Sequence, residues 1–213
     1  MVLLDDVAFS KQSWQQRNKI RTHNGLEYLS VPVKTAGRLG QKITDCEIVD
    51  SMFVSKMSKT IAANYSKARY FDAYYEELAT TLTQAASTKR LVEINCALIS
   101  WMAAKLEIGT PMICASTLGV GGERGEHVAS ICQSMGADQY LSPAGAESYL
   151  IEDKPAFDRK GIMIFIHVYE HPEYTQQFKP FMPFASALDL ILNLGPAAGE
   201  VMRKGRRPMQ PIG

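Results

Sequence analysis

The sequence predicts an α/β protein with a mainly parallel open sheet and helices on both faces, a Rossmann-like three-layer arrangement. Two observations predict it. From residue 91 onward the apolar pattern reads helix, strand, helix, strand, helix, strand, helix. Such alternation is what crossover helices between parallel strands produce. The 213 residues are also 46% hydrophobic, enough for one sizeable core. We expect a single α/β domain over residues 1–202 and a mobile basic tail over 203–213, where no periodicity is visible.

The elements follow in order. Residues 2–4, "VLL", read as a short strand ending at Asp5-Asp6. "LEYLSVPV" (26–33) alternates apolar and polar, as a half-buried strand does. Residues 34–46 read as a loop with Gly37 and Gly40. "RYFDAYYEELATTLTQAA" (69–86) carries apolar groups at helical spacing. The clearest helix is 91–109, with Leu91, Ile94, Leu98, Met102 and Leu106 on one face and Gly109 at the expected C-cap. "PMICAST" (111–117) reads as a buried strand, followed by the glycine-rich loop "LGVGGERG". "EHVASICQSMGA" is a helix ended by Gly136, and "DQYLS" (138–142) is a strand. "AGAESYLIE" is a short helix entered through Pro143, and "GIMIFIHVYE" (161–170) is a β-branched strand. "FASALDLILNLG" (184–195) is a helix stopped by Gly195-Pro196.

Composition excludes several classes. A net charge of +1 argues against bulk nucleic-acid binding, which needs a basic excess. Cys46, Cys96, Cys114 and Cys132 are far apart, with no CxxC or Cys/His spacing, so neither zinc nor a disulfide framework is expected. Reduced, buried thiols fit a cytoplasmic protein. No apolar run is long enough to span a bilayer, and the first residues lack a signal-peptide pattern. No dinucleotide or P-loop fingerprint appears, so no cofactor is expected.

In a parallel sheet the ligand lies beyond the carboxyl ends of the strands. Four segments qualify: Asp5-Asp6 onward, Ser116 to Gly125, Ser142 to Gly145, and Tyr169 to Gln177. Asp5 and Asp6 end the first strand as general-base or sugar-binding carboxylates, or as an Asx turn. In the polar run "KQSWQQRNKIRT", Arg17, Lys19 and Arg21 share one parity. In an extended strand they stand about 7 Å apart on one face, which suits a phosphate or diphosphate. A charged edge strand that resists aggregation has the same pattern. Lys11, Trp14, Gln15 and Asn18 of the same run complete one candidate wall. In "STLGVGGERGEHV", Gly121, Gly122 and Arg124 stand between a strand and a helix, where backbone N–H groups can hold phosphate or where a loop simply needs positive φ. Ser142 sits at a strand-to-helix turn without a histidine paired to it in sequence. His167 and His171 would stand about 13 Å apart on a strand, too far to share a metal. His171 before Pro172 instead reads as a strand-end side chain facing ligand, with Tyr174, Gln176 and Gln177 as polar groups suited to a sugar.

Several of these segments together resemble the WbqC-like protein family. They are "LDDVAFSKQSWQQRNKI", "LSVPV", "NYSKARYF", "ICQSMGADQYLSPAGAESYL", "KGI" after a phenylalanine, and "HPEYTQQFKPFMPFASALDLILNLG". They run in the family's order from Leu4 to Gly195. The resemblance implies bacterial O-antigen or other surface-polysaccharide (lipopolysaccharide) biosynthesis, with a nucleotide-activated sugar or amino sugar as ligand. On that reading the protein is a transferase. Arg17, Lys19 and Arg21 lie near phosphate, Asp5 or Asp6 orients or deprotonates the acceptor, and His171, Tyr174 and Gln176 line the sugar pocket. Two alternatives stay open: an acyl or aminoacyl transferase whose donor rides on an acyl carrier protein, and a non-catalytic binding homologue. Family members also ordinarily begin with a further strand and helix carrying a His-Gln-Pro type segment. The resemblance implies that this would precede Met1, so any role of that histidine is not carried over. An uncovered sheet edge or helix face is the expected consequence.

Overall fold

The computed structural model describes residues 1–212. In chain order the elements are β1 (Val2–Leu3), β2 (Arg17–Thr22), β3 (Gly25–Ser30), α1 (Met52–Tyr65), α2 (Phe71–Ser87), α3 (Leu91–Lys105), β4 (Ile113–Cys114), α4 (Arg124–Ser134), β5 (Gln139–Pro143), α5 (Glu147–Asp158), β6 (Met163–His167), α6 (Ala187–Leu194), α7 (Ala198–Lys204) and β7 (Gln210–Pro211). They form two compact units. One consists of Met1–Leu4, Pro111–Glu170 and the residues from Lys204 onward; the other consists of Asp5–Thr110 and His171–Arg203.

The protein is mixed α/β, but among the described residues the strands form three small sheets in place of the expected large parallel one. Parallel pairing occurs twice, between β1 and β4 and between β5 and β6. The remaining pairs, β2–β3 and β6–β7, are antiparallel. The alternation rule fails for local reasons. After two residues β4 turns into a 3₁₀ turn at Ala115–Thr117, too short to extend a sheet. The helices α1, α2 and α3 follow one another with no strand between them.

In the first unit, β6 alternates as a half-buried strand should: Ile164 and Ile166 are buried and Met163 is exposed. Their core neighbours are Ala129, Cys132, Leu150, Phe157 and Ile162. Helices α4 and α5 approach closely at Gly125, where a Cβ would lie 2.3 Å from the Cβ of Asp153. The expected strand 111–117 is only β4, and the expected short helix continues to Asp158. The patternless tail carries β7, with Ile212 N–H donating to the Ile164 carbonyl at 2.9 Å. Backbone pairing of this kind leaves no mark in side-chain periodicity.

In the second unit, α6 is buried nearly all round: Leu188, Leu190, Ile191 and Leu192 are all inside. Each such side chain stabilises the fold by about 1.5–3 kcal/mol. The Ser186 hydroxyl caps the helix by accepting from Leu188 N–H at 3.2 Å. Gly195 ends it with φ +55°, and the Tyr70 ring lies where a Cβ would stand. Helix α3 stops earlier than Gly109. Glu107 takes φ +55°, its N–H donates to the Ala104 carbonyl, and Ile108 N–H donates to the Ala103 carbonyl at 2.9 Å. That is a Schellman stop with a glutamate where glycine is usual. Helix α1 has no counterpart among the sequence-based expectations, although Phe53, Met57, Ile61 and Tyr65 recur every four residues along it.

Candidate functional site

The hairpin β2–β3 builds an outer shelf on the second unit. Its register sets Lys19 opposite Tyr28, with Arg17 two residues away on the same face. The Arg17 guanidinium lies 4.1 Å over the Tyr28 ring. The Lys19 ammonium stands 5.4 Å from Tyr28 and 5.7 Å from Trp14. Trp14 and Tyr28 are themselves 6.1 Å apart, and Trp14 is 64% exposed. Exposed cation–π contacts contribute about 0.5–1 kcal/mol each. They hold the two cations over open aromatic surface.

Arg21 does not join them, although it shares their parity. It is 2% exposed because both faces of β2 are covered at this end, where Ile20, Arg21 and Thr22 are all buried. Its guanidinium donates to the carbonyls of Thr22 and Pro180 and lies 5.8 Å from the Phe178 ring. The expected trio of cations is therefore a pair on the surface and one buried residue that ties the hairpin to the 176–182 segment.

The polar run before the shelf closes on itself. The Gln15 side chain accepts from Ser10 N–H at 2.6 Å and donates to the Ala8 carbonyl. The Gln16 side chain accepts from Gln12 N–H and donates to the Val31 carbonyl. Asn18 accepts from Lys19 N–H, and Lys11 is exposed on the loop. The density of amide side chains thus serves a loop that has little regular structure of its own.

Asp189 lies beneath, on α6, and is fully buried. It accepts from the Tyr65 hydroxyl at 2.8 Å, the Tyr174 hydroxyl at 2.7 Å and the Gln176 amide at 2.9 Å. The Tyr65 oxygen in turn accepts from Arg21 N–H at 2.9 Å. Burial, and then the charge of Asp189, push the Tyr65 phenol far above its usual range, so it remains a donor. The Gln176 amide also accepts from Met182 N–H and donates to the Met182 carbonyl. This hub fastens α1, α6, β2 and the 174–182 segment to one carboxylate. It also meets the shelf strand a second time, through Ser186 N–H donating to the Lys19 carbonyl at 2.8 Å.

His171 sits among aromatic rings beside this hub. Its ring is 6.1 Å from Tyr174, 5.8 Å from Phe181 and 5.4 Å from Phe184. Phe184 is largely exposed and has φ +67°, a strained backbone for a phenylalanine.

The remaining candidates are dispersed. Asp5 is buried, its carbonyl accepting from Thr44 N–H at 2.9 Å, and Asp6 is half-buried beside it. Gly121, Gly122, Arg124 and Ser142 belong to the first unit. There Gly122 (φ +111°) lies against the backbone of α4, the Gly121 carbonyl is 3.4 Å from a His127 ring nitrogen, and Arg124 pairs with Glu152. Ser142 is fully buried on β5. Sequence reasoning missed Tyr28, Tyr65, Phe181, Phe184 and Asp189. Tyr28 was findable, as it lies opposite Lys19 in any tight hairpin turning at His23-Asn24. Asp189 was marked only by being an acid inside an otherwise apolar helix.

Fold and site together define a mixed α/β protein with an exposed basic and aromatic hairpin above a buried carboxylate hub. The chain belongs to the WbqC-like protein family, whose model matches residues 1–201. It is similar to the uncharacterized protein Rv1507c of Mycobacterium tuberculosis, with 30% identity over 207 residues, covering 97% of this chain and 88% of the relative. No solved structure matches it. Among the described residues no helix is long and apolar enough to cross a membrane.

Proposed function

We propose that this protein is a cytoplasmic transferase of surface-polysaccharide biosynthesis that acts on a nucleotide-activated sugar. The observation that carries the reading is the shelf: two cations held over two exposed aromatic rings, Tyr28 in the hairpin and Trp14 just before it. A nucleoside diphosphate needs both chemistries at once. Its base stacks on an open ring such as Trp14, a contact of about 1–3 kcal/mol. Its phosphates take charge-assisted hydrogen bonds from Arg17 and Lys19.

The acceptor end of the reading uses Tyr174, whose hydroxyl is bonded to Asp189, and His171, whose ring stacks 6.1 Å from it. The resemblance assigns the general base to Asp6, which lies apart from the shelf and the hub; that role supplies about 10²–10⁴ in rate. Gln176 serves by position, since both ends of its amide are committed to the fold.

Thermal-shift screening of nucleotide sugars followed by calorimetry tests this. A uridine or guanosine diphosphate sugar should bind, and Arg17→Ala should weaken it about tenfold, or about 1.4 kcal/mol. Asp6→Asn should keep the binding and lose turnover. Equal affinity in wild type and Arg17→Ala removes the shelf from the site.

A further inference from the structure

Helix α1 carries an unusual charge distribution. From Ser51 to Phe71 the chain has Lys56, Lys59, Lys67 and Arg69 and no aspartate or glutamate, in a protein whose charges otherwise nearly cancel. Several cations elsewhere sit beside carboxylates: Lys34 and Arg38 with Glu47, Lys105 with Glu77, Lys154 with Asp158, Lys160 with Glu126. Among the described residues Lys56 and Lys59 make no ion pair.

Both lysines lie on the open outer face of α1. Met52, Ser55, Thr60, Ala63 and Asn64 line the rest. The lining recurs every three to four residues, so it is one continuous stripe of the helix, about 18 Å long at 1.5 Å per residue. Met52 closes one end and is 80% exposed. Two of the polar groups along it are already bonded within the helix: the Thr60 hydroxyl donates to the Lys56 carbonyl and the Asn64 amide to the Thr60 carbonyl, each at 2.8 Å. A partner covering this face would leave those two donors satisfied and would have to meet the Ser55 hydroxyl, since an unmet buried polar group is costly. The two lysines would gain the carboxylates they lack.

We propose that the outer face of α1 is a docking surface for an acidic amphipathic helix of a partner protein. The partner's small-residue side lies along Ser55, Thr60 and Ala63, its carboxylates meet Lys56 and Lys59, and an apolar side chain covers Met52. A donor riding on an acidic carrier protein would supply such a helix. The inference does not use the nucleotide reading, and its failure leaves the shelf untouched.

The probe is a labelled 18-residue helical peptide with glutamates along one edge, an alanine seam and a leucine at the Met52 end. Its binding to the full chain is followed by fluorescence anisotropy at low and moderate salt. Saturable, salt-sensitive binding is expected. It should weaken about tenfold in Lys56→Gln/Lys59→Gln, in Ala63→Glu, and when glutamine replaces glutamate in the peptide. The peptide change is made against the wild-type chain, so it remains decisive if a variant folds poorly. Absence of saturable binding, or equal affinity for the glutamine peptide, overturns the proposal. So does either of two other occupants: concentration-dependent dimerisation of the chain abolished by the same variants, or sedimentation with phosphatidylglycerol vesicles that depends on Lys56 and Lys59.

Discussion

The Tyr65 hydroxyl stands 2.8 Å from a carboxylate oxygen of Asp189, although 124 residues separate the two in the chain. The same hydroxyl oxygen accepts from Arg21 N–H, so one phenol joins α1, α6 and β2. Removing it strands two buried groups, each worth about 1–3 kcal/mol when unsatisfied. Tyr65→Phe should therefore lower unfolding free energy in urea by about 2–4 kcal/mol. Tyr75→Phe, whose hydroxyl donates to the Ser58 carbonyl at a half-buried position, is the control and should cost less. Equal losses in the two variants would show that the hub has no special weight.

Gly125 allows α4 to lie against Asp153 of α5. An added methyl would stand 2.3 Å from the Asp153 Cβ, so the helices must separate. Overpacking of this kind costs about 1–3 kcal/mol, and Gly125→Ala should lower the melting temperature accordingly. Alanine is the better helix former, so an unchanged or raised melting temperature would contradict the close approach.

Glu107 ends α3 with φ +55°, a conformation that disfavours L residues by roughly 1–2 kcal/mol. Glycine adopts it freely, and the Schellman hydrogen bonds are backbone ones that survive the change. The exposed side chain gives up only a 3.9 Å contact to half-buried Arg203. Glu107→Gly should raise stability by about 0.5–1 kcal/mol, and a denaturation midpoint that falls would refute the assigned helix stop.

Glu47 receives hydrogen bonds from Lys34 and Arg38, which pull its carboxyl down to about 2 from 4.5. The folded value lies below the unfolded one, so the pair's contribution is complete above about pH 4.5 and disappears as pH falls through 2. Glu126 is lowered in the same direction by Lys160 and Arg159. The melting-temperature gap between wild type and Glu47→Gln should close between pH 4.5 and pH 2, and narrow with added salt. A gap that stays constant down to pH 2 would exclude this linkage.

Much of the local structure is legible in the chain. Helices α2, α3, α4 and α6 and strands β5 and β6 have the periodicities that burial of one face imposes. The Arg17–Lys19 face of β2 follows from the two-residue repeat of a strand. Helix α1 was legible too, in its four-residue apolar repeat, but lysines and small polar residues dilute that signal.

What the sequence by itself determined is which segments are helix or strand and which short-range faces they present, because those depend on neighbours within a turn or a pleat. Tertiary structure alone decided the rest. Side-chain pattern does not say which strand pairs with which, so an apparent parallel sheet resolves into three small ones. It also does not say where a strand face stops being a surface. Arg21 has the parity of Arg17 and Lys19 but is buried because the 176–182 segment folds over it. The Asp189 hub belongs to the same kind: its partners come from distant segments, and a buried carboxylate is stable only once all of them have arrived.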